Sequence, residues 1–267
     1  MSQTIVFVHG AWVTPRCWDP MKGYFEAEGY TCLAPAWPHK DHPIGELRAS
    51  PPAALAGLGI AEIVDHYERI IRDLPAPPIL IGHSFGGLFV QMLLDRGVGV
   101  AGVAIDPAPP RGVNALRWSM FKATAPVLFT WRGWRRIVHM SFPNFRYAFA
   151  NTMSPADQRH AYEQHVVPET GRIFFQAALA PLDSRHATRI NFRNPKRAPL
   201  LIVQGARDTV VAPGVVRATF NQYRRTPART DFKLFAGRCH WIIAQDGWEE
   251  VAGYIQRWLQ HLPAADA

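Results

Sequence analysis

The run Gly82-His83-Ser84-Phe85-Gly86 is where residue type and spacing in this sequence most directly specify chemistry. It follows the apolar run Ile79-Leu80-Ile81 and precedes Leu88, Val90, Met92, Leu93 and Leu94. That context fits a sharp strand-to-helix turn that presents a serine hydroxyl as nucleophile. The positions two residues either side of the serine must lack bulk, because strand and helix crowd there, so glycine fits both. A G-x-S-x-G run alone is common by chance; the strand before it and the helix after it carry the inference.

A serine hydroxyl is a weak nucleophile without a base. Among the 11 histidines, His240 alone falls in the loop between the last predicted strand and the last predicted helix, so it is the expected base. The base needs an acid to hold its tautomer and stabilise the imidazolium. Asp208, in Gly205-Ala206-Arg207-Asp208 after the fifth predicted strand, is favoured; Asp106, at the end of the fourth, is the competitor. The order Ser84, Asp208, His240 matches one known chain order for such a triad. Negative charge developing on a carbonyl oxygen needs preformed donors. The backbone N–H groups of Phe85 and of Ala11, in His9-Gly10-Ala11-Trp12, are the candidates, with His9 expected to brace that loop rather than react.

These groups need a scaffold that brings distant residues to one edge. Apolar, β-rich runs predict strands at 4–8, 30–34, 79–81, 100–105, 200–203 and 231–235. Helical spacing predicts helices at 17–28 and 60–74, one following Gly86 through Leu88 to Leu94, and others at 213–222 and 248–259. Strand and helix in alternation argue for an α/β fold, a mostly parallel six-stranded sheet flanked by helices. Residues 35–57, broken by Pro35, Pro38, Pro43, Pro51 and Pro52, read as an irregular rim. After the fourth strand the rhythm stops in a helix-like stretch rich in Trp and Phe. The expected organisation is a core of 1–106 and 190–267 with a helical cap, 107–189, over the sheet's carboxyl edge, where open α/β sheets bind ligands. Trp12, Trp131 and Trp134 are the pocket candidates.

The 267 residues, 48% of them hydrophobic, suffice for one large core. Cys17, Cys32 and Cys239 lack disulfide-framework or zinc spacing. His39-Lys40-Asp41-His42 lacks further ligands at set distances and reads as a polar loop, so no metal is expected. Nor is a nucleotide cofactor, since there is no Gly-rich phosphate loop. The net charge of +8 is concentrated at Arg111, Arg117, Lys122, Arg132, Arg135, Arg136 and Arg146, with no acid between them. These alternate with Trp and Phe instead of forming one basic run, and are expected to be a solvated outer face of the cap, not a nucleic-acid surface. With no basic leader at the N-terminus and no membrane-length apolar stretch, the expected location is the cytoplasm.

Phe7-Val8-His9-Gly10-Ala11-Trp12, Gly82-His83-Ser84-Phe85-Gly86-Gly87, the 205–208 segment and His240-Trp241 together resemble the α/β-hydrolase superfamily. The His-Gly-Ala-Trp opening is similar to that of small bacterial and plant esterases and hydroxynitrile lyases, which lack the superfamily's first two strands. Dehalogenases and epoxide hydrolases of the superfamily need Asp where Ser84 stands. The resemblance implies a carboxylic-ester hydrolase acting through an acyl-enzyme on a mainly apolar small molecule, without a cofactor. Alternatives on the same fold are a lyase or cofactor-free oxygenase with His240 as base, or a ligand-binding receptor with a slow triad. Hydroxynitrile lyase relatives rely on a lysine near the late histidine, and Arg238-Cys239-His240-Trp241 offers none. Oligomeric state has no signature in the sequence.

Overall fold

The computed structural model describes residues 3–113, 117–184 and 186–262. Its elements in chain order begin with strand β1 (Thr4–Val8), helix α1 (Asp19–Ala27), β2 (Thr31–Leu33), α2 (Ile44–Ala49), α3 (Ile60–Arg72), β3 (Ile79–His83), α4 (Phe85–Asp95) and β4 (Ala101–Ile105). Then come α5 (Trp118–Leu128), β5 (Ile137–Val138), α6 (Phe142–Ala148), α7 (Pro155–His165), β6 (Glu169–Thr170) and α8 (Arg172–Ala178). The chain closes with β7 (Leu200–Gly205), α9 (Pro213–Tyr223), β8 (Thr230–Phe235) and α10 (Trp248–Gln260).

Six strands form one parallel sheet in the order β2-β1-β3-β4-β7-β8. β3, β4 and β7 are wholly buried, as expected of inner strands covered on both faces. The apolar stripe of α3 (Ile60, Ile63, Val64, Tyr67 and Ile71) is buried, and α4 is buried on nearly every side. Because all six strands run the same way, their carboxyl ends and the loops that follow share one edge. That edge carries the loop after β1, Ser84, Asp106, Asp208 and His240.

Two expectations are corrected. Residues 35–57 are not wholly irregular: α2 and a 3-10 turn, Ala53–Gly57, lie within them. The prolines fall outside these pieces, and Pro43 stands at the α2 N-cap, where a missing N–H costs nothing. The expected helix from residue 17 starts at Asp19, after a 3-10 turn over Pro15–Trp18. Between β4 and β7 the described residues hold the four helices α5 to α8, a 3-10 turn and the short antiparallel β5–β6 pair, while 186–199 contain no helix or strand. Among the described residues no helix is long and apolar enough to cross a membrane.

Candidate active site

Ser84 joins β3 to α4 with φ 57° and ψ −120°. A non-glycine residue held there costs about 1–3 kcal/mol and persists only where its surroundings fix it. They do so here: Ser84 N–H donates to Ile105 O at 2.9 Å, while Leu88 N–H and Ala108 N–H donate to Ser84 O at 3.2 and 3.0 Å. The flanking glycines are obligatory. A Cβ on Gly82 would lie 2.2 Å from Gly86 O, and one on Gly86 would lie 2.0 Å from Val8 O. The hydroxyl thus stands at the N-terminus of α4, where the helix dipole favours negative charge.

His240 follows β8 and is fully buried. Its Nδ1–H donates to Asp208 Oδ2 at 2.7 Å, which leaves Nε2 to accept from the Ser84 hydroxyl at 3.0 Å. The other Asp208 oxygen accepts from Val210 N–H and Val211 N–H at 2.7 and 2.9 Å, so the carboxylate is fixed on both sides. Asp106 lies close by, but its Oδ2 is 3.9 Å from His240 Nδ1, beyond hydrogen-bond reach. Its Oδ1 accepts from Gly205 N–H at 2.7 Å. Burial, reinforced by the charge of Asp208, raises the Asp106 carboxyl well above the ordinary range. Asp106 therefore braces the end of β7, and Asp208 is the group hydrogen-bonded to the imidazole.

Phe85 is the first residue of α4, and Ala11 lies in the loop after β1; both are buried. That loop runs against the serine, for a Cβ on Gly10 would sit 2.9 Å from Ser84 Cβ. His9 braces it: Nδ1–H donates to Gly10 O at 2.8 Å, and Nε2 accepts from Trp37 N–H at 3.2 Å. The Trp12 ring packs 4.3 Å from Phe174 and 6.2 Å from Phe149, and Phe149 meets the His240 ring edge-on at 4.8 Å. Trp131 and Trp134 are not brought to this cluster. They are 78% and 45% exposed, and Trp134 packs on Phe175, whereas its neighbour Phe174 faces Trp12 and Phe85.

Several residues at the site went unread in the sequence. His83, inside the serine motif, donates from Nε2 to His240 O at 2.8 Å and so fixes the loop that carries His240. Lys40, in the segment expected to be a polar loop, is buried and paired with Glu169 at 2.6 Å, whereas His39, Asp41 and His42 are exposed. Glu169 lies 129 residues from Lys40, so no local pattern announces the pair. Phe149 and Phe174 were legible only as aromatic content. His83, Asp106 and His240 have ligand-type atoms within 4.8 Å of one another, but both ring nitrogens of His240 are engaged by Asp208 and Ser84, so the cluster is built for hydrogen bonding. The three cysteines are free and buried. Burial raises the Cys239 thiol, which donates to Gln245 Oε1 at 3.2 Å.

Among curated protein sequences none matches the chain. Many solved structures match in fold. A monoacylglycerol lipase from Paleococcus ferrophilus superposes with a TM-score of 0.68 at 20% identity, over 96% of this chain and 93% of that one. The methylesterase MES16 from Arabidopsis gives 0.68 at 15% identity, over 97% and 100%. An extracellular alpha/beta-hydrolase from a Paenibacillus species gives 0.68 at 18% identity, over 96% and 98%. At these identities the likeness shows the fold alone. The sequence profile of the alpha/beta hydrolase family matches residues 5–253, nearly the whole chain, and the protein is therefore a member of the alpha/beta hydrolase family.

Proposed function

We propose that this hydrolase cleaves a carboxylic ester, lactone or thioester of a mainly apolar small molecule through an acyl-enzyme on Ser84. The observation that carries the reading is the continuous buried chain Ser84 Oγ, His240 Nε2, His240 Nδ1, Asp208 Oδ2, with links of 3.0 and 2.7 Å, set at the N-terminus of a helix. His240 takes the hydroxyl proton as Ser84 attacks the carbonyl, and Asp208 stabilises the imidazolium so formed. The N–H groups of Ala11 and Phe85 receive the oxyanion. The protonated His240 then donates to the leaving oxygen or sulfur. In the second half, water attacks the acyl-enzyme, with His240 again as base.

Residues 107–189 act as a cap over this chemistry. Trp12, Phe85, Phe149 and Phe174 form an apolar wall beside the serine, which favours an apolar acyl or leaving group. Esterases and lipases among the fold relatives support ester chemistry. A lyase that uses a cation beside the late histidine is disfavoured, because the Arg238 guanidinium is engaged by Asp246 O, Gly247 O and Glu250. The test is a panel of p-nitrophenyl esters of increasing chain length under pre-steady-state conditions. A burst of p-nitrophenol, with the acyl mass found on the peptide containing Ser84, is expected. Hydrolysis with no acylated Ser84 would point to direct attack by water instead.

A further inference from the structure

The loop after β1 is set by three separate grips. His9 Nδ1–H holds the carbonyl of Gly10. In a trans peptide the N–H points opposite to the C=O, so this bond also fixes the direction of the Ala11 N–H. The next peptide is held at its other end: Trp12 N–H donates to Glu169 Oε2 at 3.0 Å. The carbonyl of Trp12 accepts from Val167 N–H at 2.8 Å. Trp12 itself has φ 62°, a left-handed conformation that a bulky residue adopts only when its neighbours impose it. Two of the three grips come from Val167, just before β6, and from Glu169, its first residue, and the second of these is a carboxylate.

That carboxylate is fully buried and could not remain there charged without compensation. Lys40 supplies it. Its Nζ donates to the same Glu169 Oε2 at 2.6 Å and lies 5.1 Å from the centre of the Trp37 ring, while Glu169 Oε1 accepts from Thr170 N–H at 2.8 Å. Lys40 is anchored in turn by its own N–H, which donates to Trp37 O at 3.0 Å. Trp37 closes the circuit, stacking on His9 at 4.8 Å and donating its N–H to His9 Nε2. For His9 to accept from Trp37 and donate to Gly10 it must be neutral, and burial and the charge of Lys40 both lower its pKa well below the ordinary value. Glu169 Oε2 thus joins Lys40 directly to the Trp12 N–H, and the Trp37–His9 contacts link Lys40 to the Gly10 carbonyl on the other side of the same loop.

We propose that Glu169, compensated by Lys40, is a positioning residue for the oxyanion loop: by accepting the Trp12 N–H it locks the left-handed turn that aims the Ala11 N–H at the oxygen of the reacting carbonyl. This rests on the ester-hydrolase reading above. It assigns a role in the reaction to a residue outside the serine–histidine–aspartate chain and contributed by the segment between β4 and β7.

Two double variants isolate the contact. K40M/E169Q and K40M/E169L both remove the buried charges and keep similar volume, but only the first retains an acceptor for the Trp12 N–H. Each is assayed for kcat and KM on p-nitrophenyl butyrate after circular dichroism confirms folding. A loss of one oxyanion donor costs about 10²–10³ in kcat, and a misplaced one on the order of 10². K40M/E169L is therefore expected to lose about a hundredfold in kcat with KM within about threefold, while K40M/E169Q stays within about tenfold of wild type in kcat. Equal kcat in the two folded variants would overturn the proposal and leave the pair a structural tie. If K40M/E169L does not fold, K40M/E169Q decides, and a hundredfold loss there despite the retained acceptor also overturns it. A wild-type enzyme that turns over no ester and acylates no serine removes the hydrolase reading itself, and the proposal with it; that result is distinct from an active wild type whose variants do not differ.

Discussion

The segment between β4 and β7 has two layers that behave differently. Its inner layer is hydrogen-bonded to each loop of the candidate site. Thr209 Oγ1–H donates to Tyr147 O, Asn151 Nδ2–H to Arg207 O, Trp241 N–H to Phe149 O and Gln245 Nε2–H to Thr152 Oγ1. Glu169 and Val167 hold Trp12. The outer layer stands in water. Trp118 and Phe129 are 76% and 75% exposed, in ring contact through Phe121, and Arg117, Lys122, Arg132, Arg135 and Arg136 are exposed around them. The inner layer is thus hydrogen-bonded into the loops that carry Asp208, His240 and Ala11. Ser84 itself is 5% exposed beneath these layers.

The contrast can be broken or sharpened by substitution, beginning with the core groups that the inner layer grips. Ser84→Ala should lower kcat by about 10⁵–10⁶ for any ester turned over, the scale set by loss of a triad nucleophile. Asp208→Asn should cost about 10⁴, because Asn cannot hold the reactive tautomer, while Asp106→Asn should cost less than about tenfold. The reverse ranking in kcat/KM would move the acid to β4.

Stability against acid separates the buried braces from the outer layer. His9 and His83 are buried, and desolvation lowers both well below 6.5. The folded protein keeps them neutral, whereas the unfolded chain binds their protons as pH falls below about 6.5. Stability from this source is complete above that pH and is lost below it, at up to about 1.4 kcal/mol per pH unit for each histidine. Urea unfolding midpoints measured between pH 7 and pH 5 should fall, and the slope should be shallower in His83→Gln. An unchanged slope in that variant would mean that His83 is already charged in the folded state.

The smallest effects compare the two layers directly. Thr209→Val removes the hydroxyl that bridges to Tyr147 O and Ala148 O, and should cost about 1–2 kcal/mol. Trp118→Ser, Phe129→Ser and Trp131→Ser, each outside the packed layer, should stay within about 0.5 kcal/mol and leave kcat/KM nearly unchanged. Thermal unfolding and ester hydrolysis measure both. A larger loss from the outer substitutions would show that this face is packed in solution.

The sheet and the serine chain were legible because their signals are local. Apolar runs of strand length, a Gly-flanked serine and a late histidine each reside in a few consecutive residues, and the parallel topology then gathers them at one edge. The preference for Asp208 over Asp106 rested only on its position after the fifth strand, and it is Asp208 that lies within hydrogen-bond reach of His240. What escaped the sequence depends on contacts between distant segments. Lys40 looks like a loop lysine until Glu169 is folded onto it. Trp131 and Trp134 share the composition of Phe149 and Phe174, but only the packing of α8 and α6 decides which aromatics face inward. Likewise α2 was hidden by the prolines around it, although the piece between Pro43 and Pro51 contains none.

Reaction with a fluorophosphonate probe tests the central claim most directly, because it reads nucleophile activation without knowledge of the substrate. Wild type, Ser84→Ala and Asp208→Asn are treated alike and the modified residue is identified by mass spectrometry. Rapid labelling at Ser84, absent in Ser84→Ala and strongly slowed in Asp208→Asn, is the predicted result. Wild-type protein that resists the probe under conditions where a control serine hydrolase reacts, or a label on another residue that survives Ser84→Ala, would contradict a serine-based acyl transfer at this site.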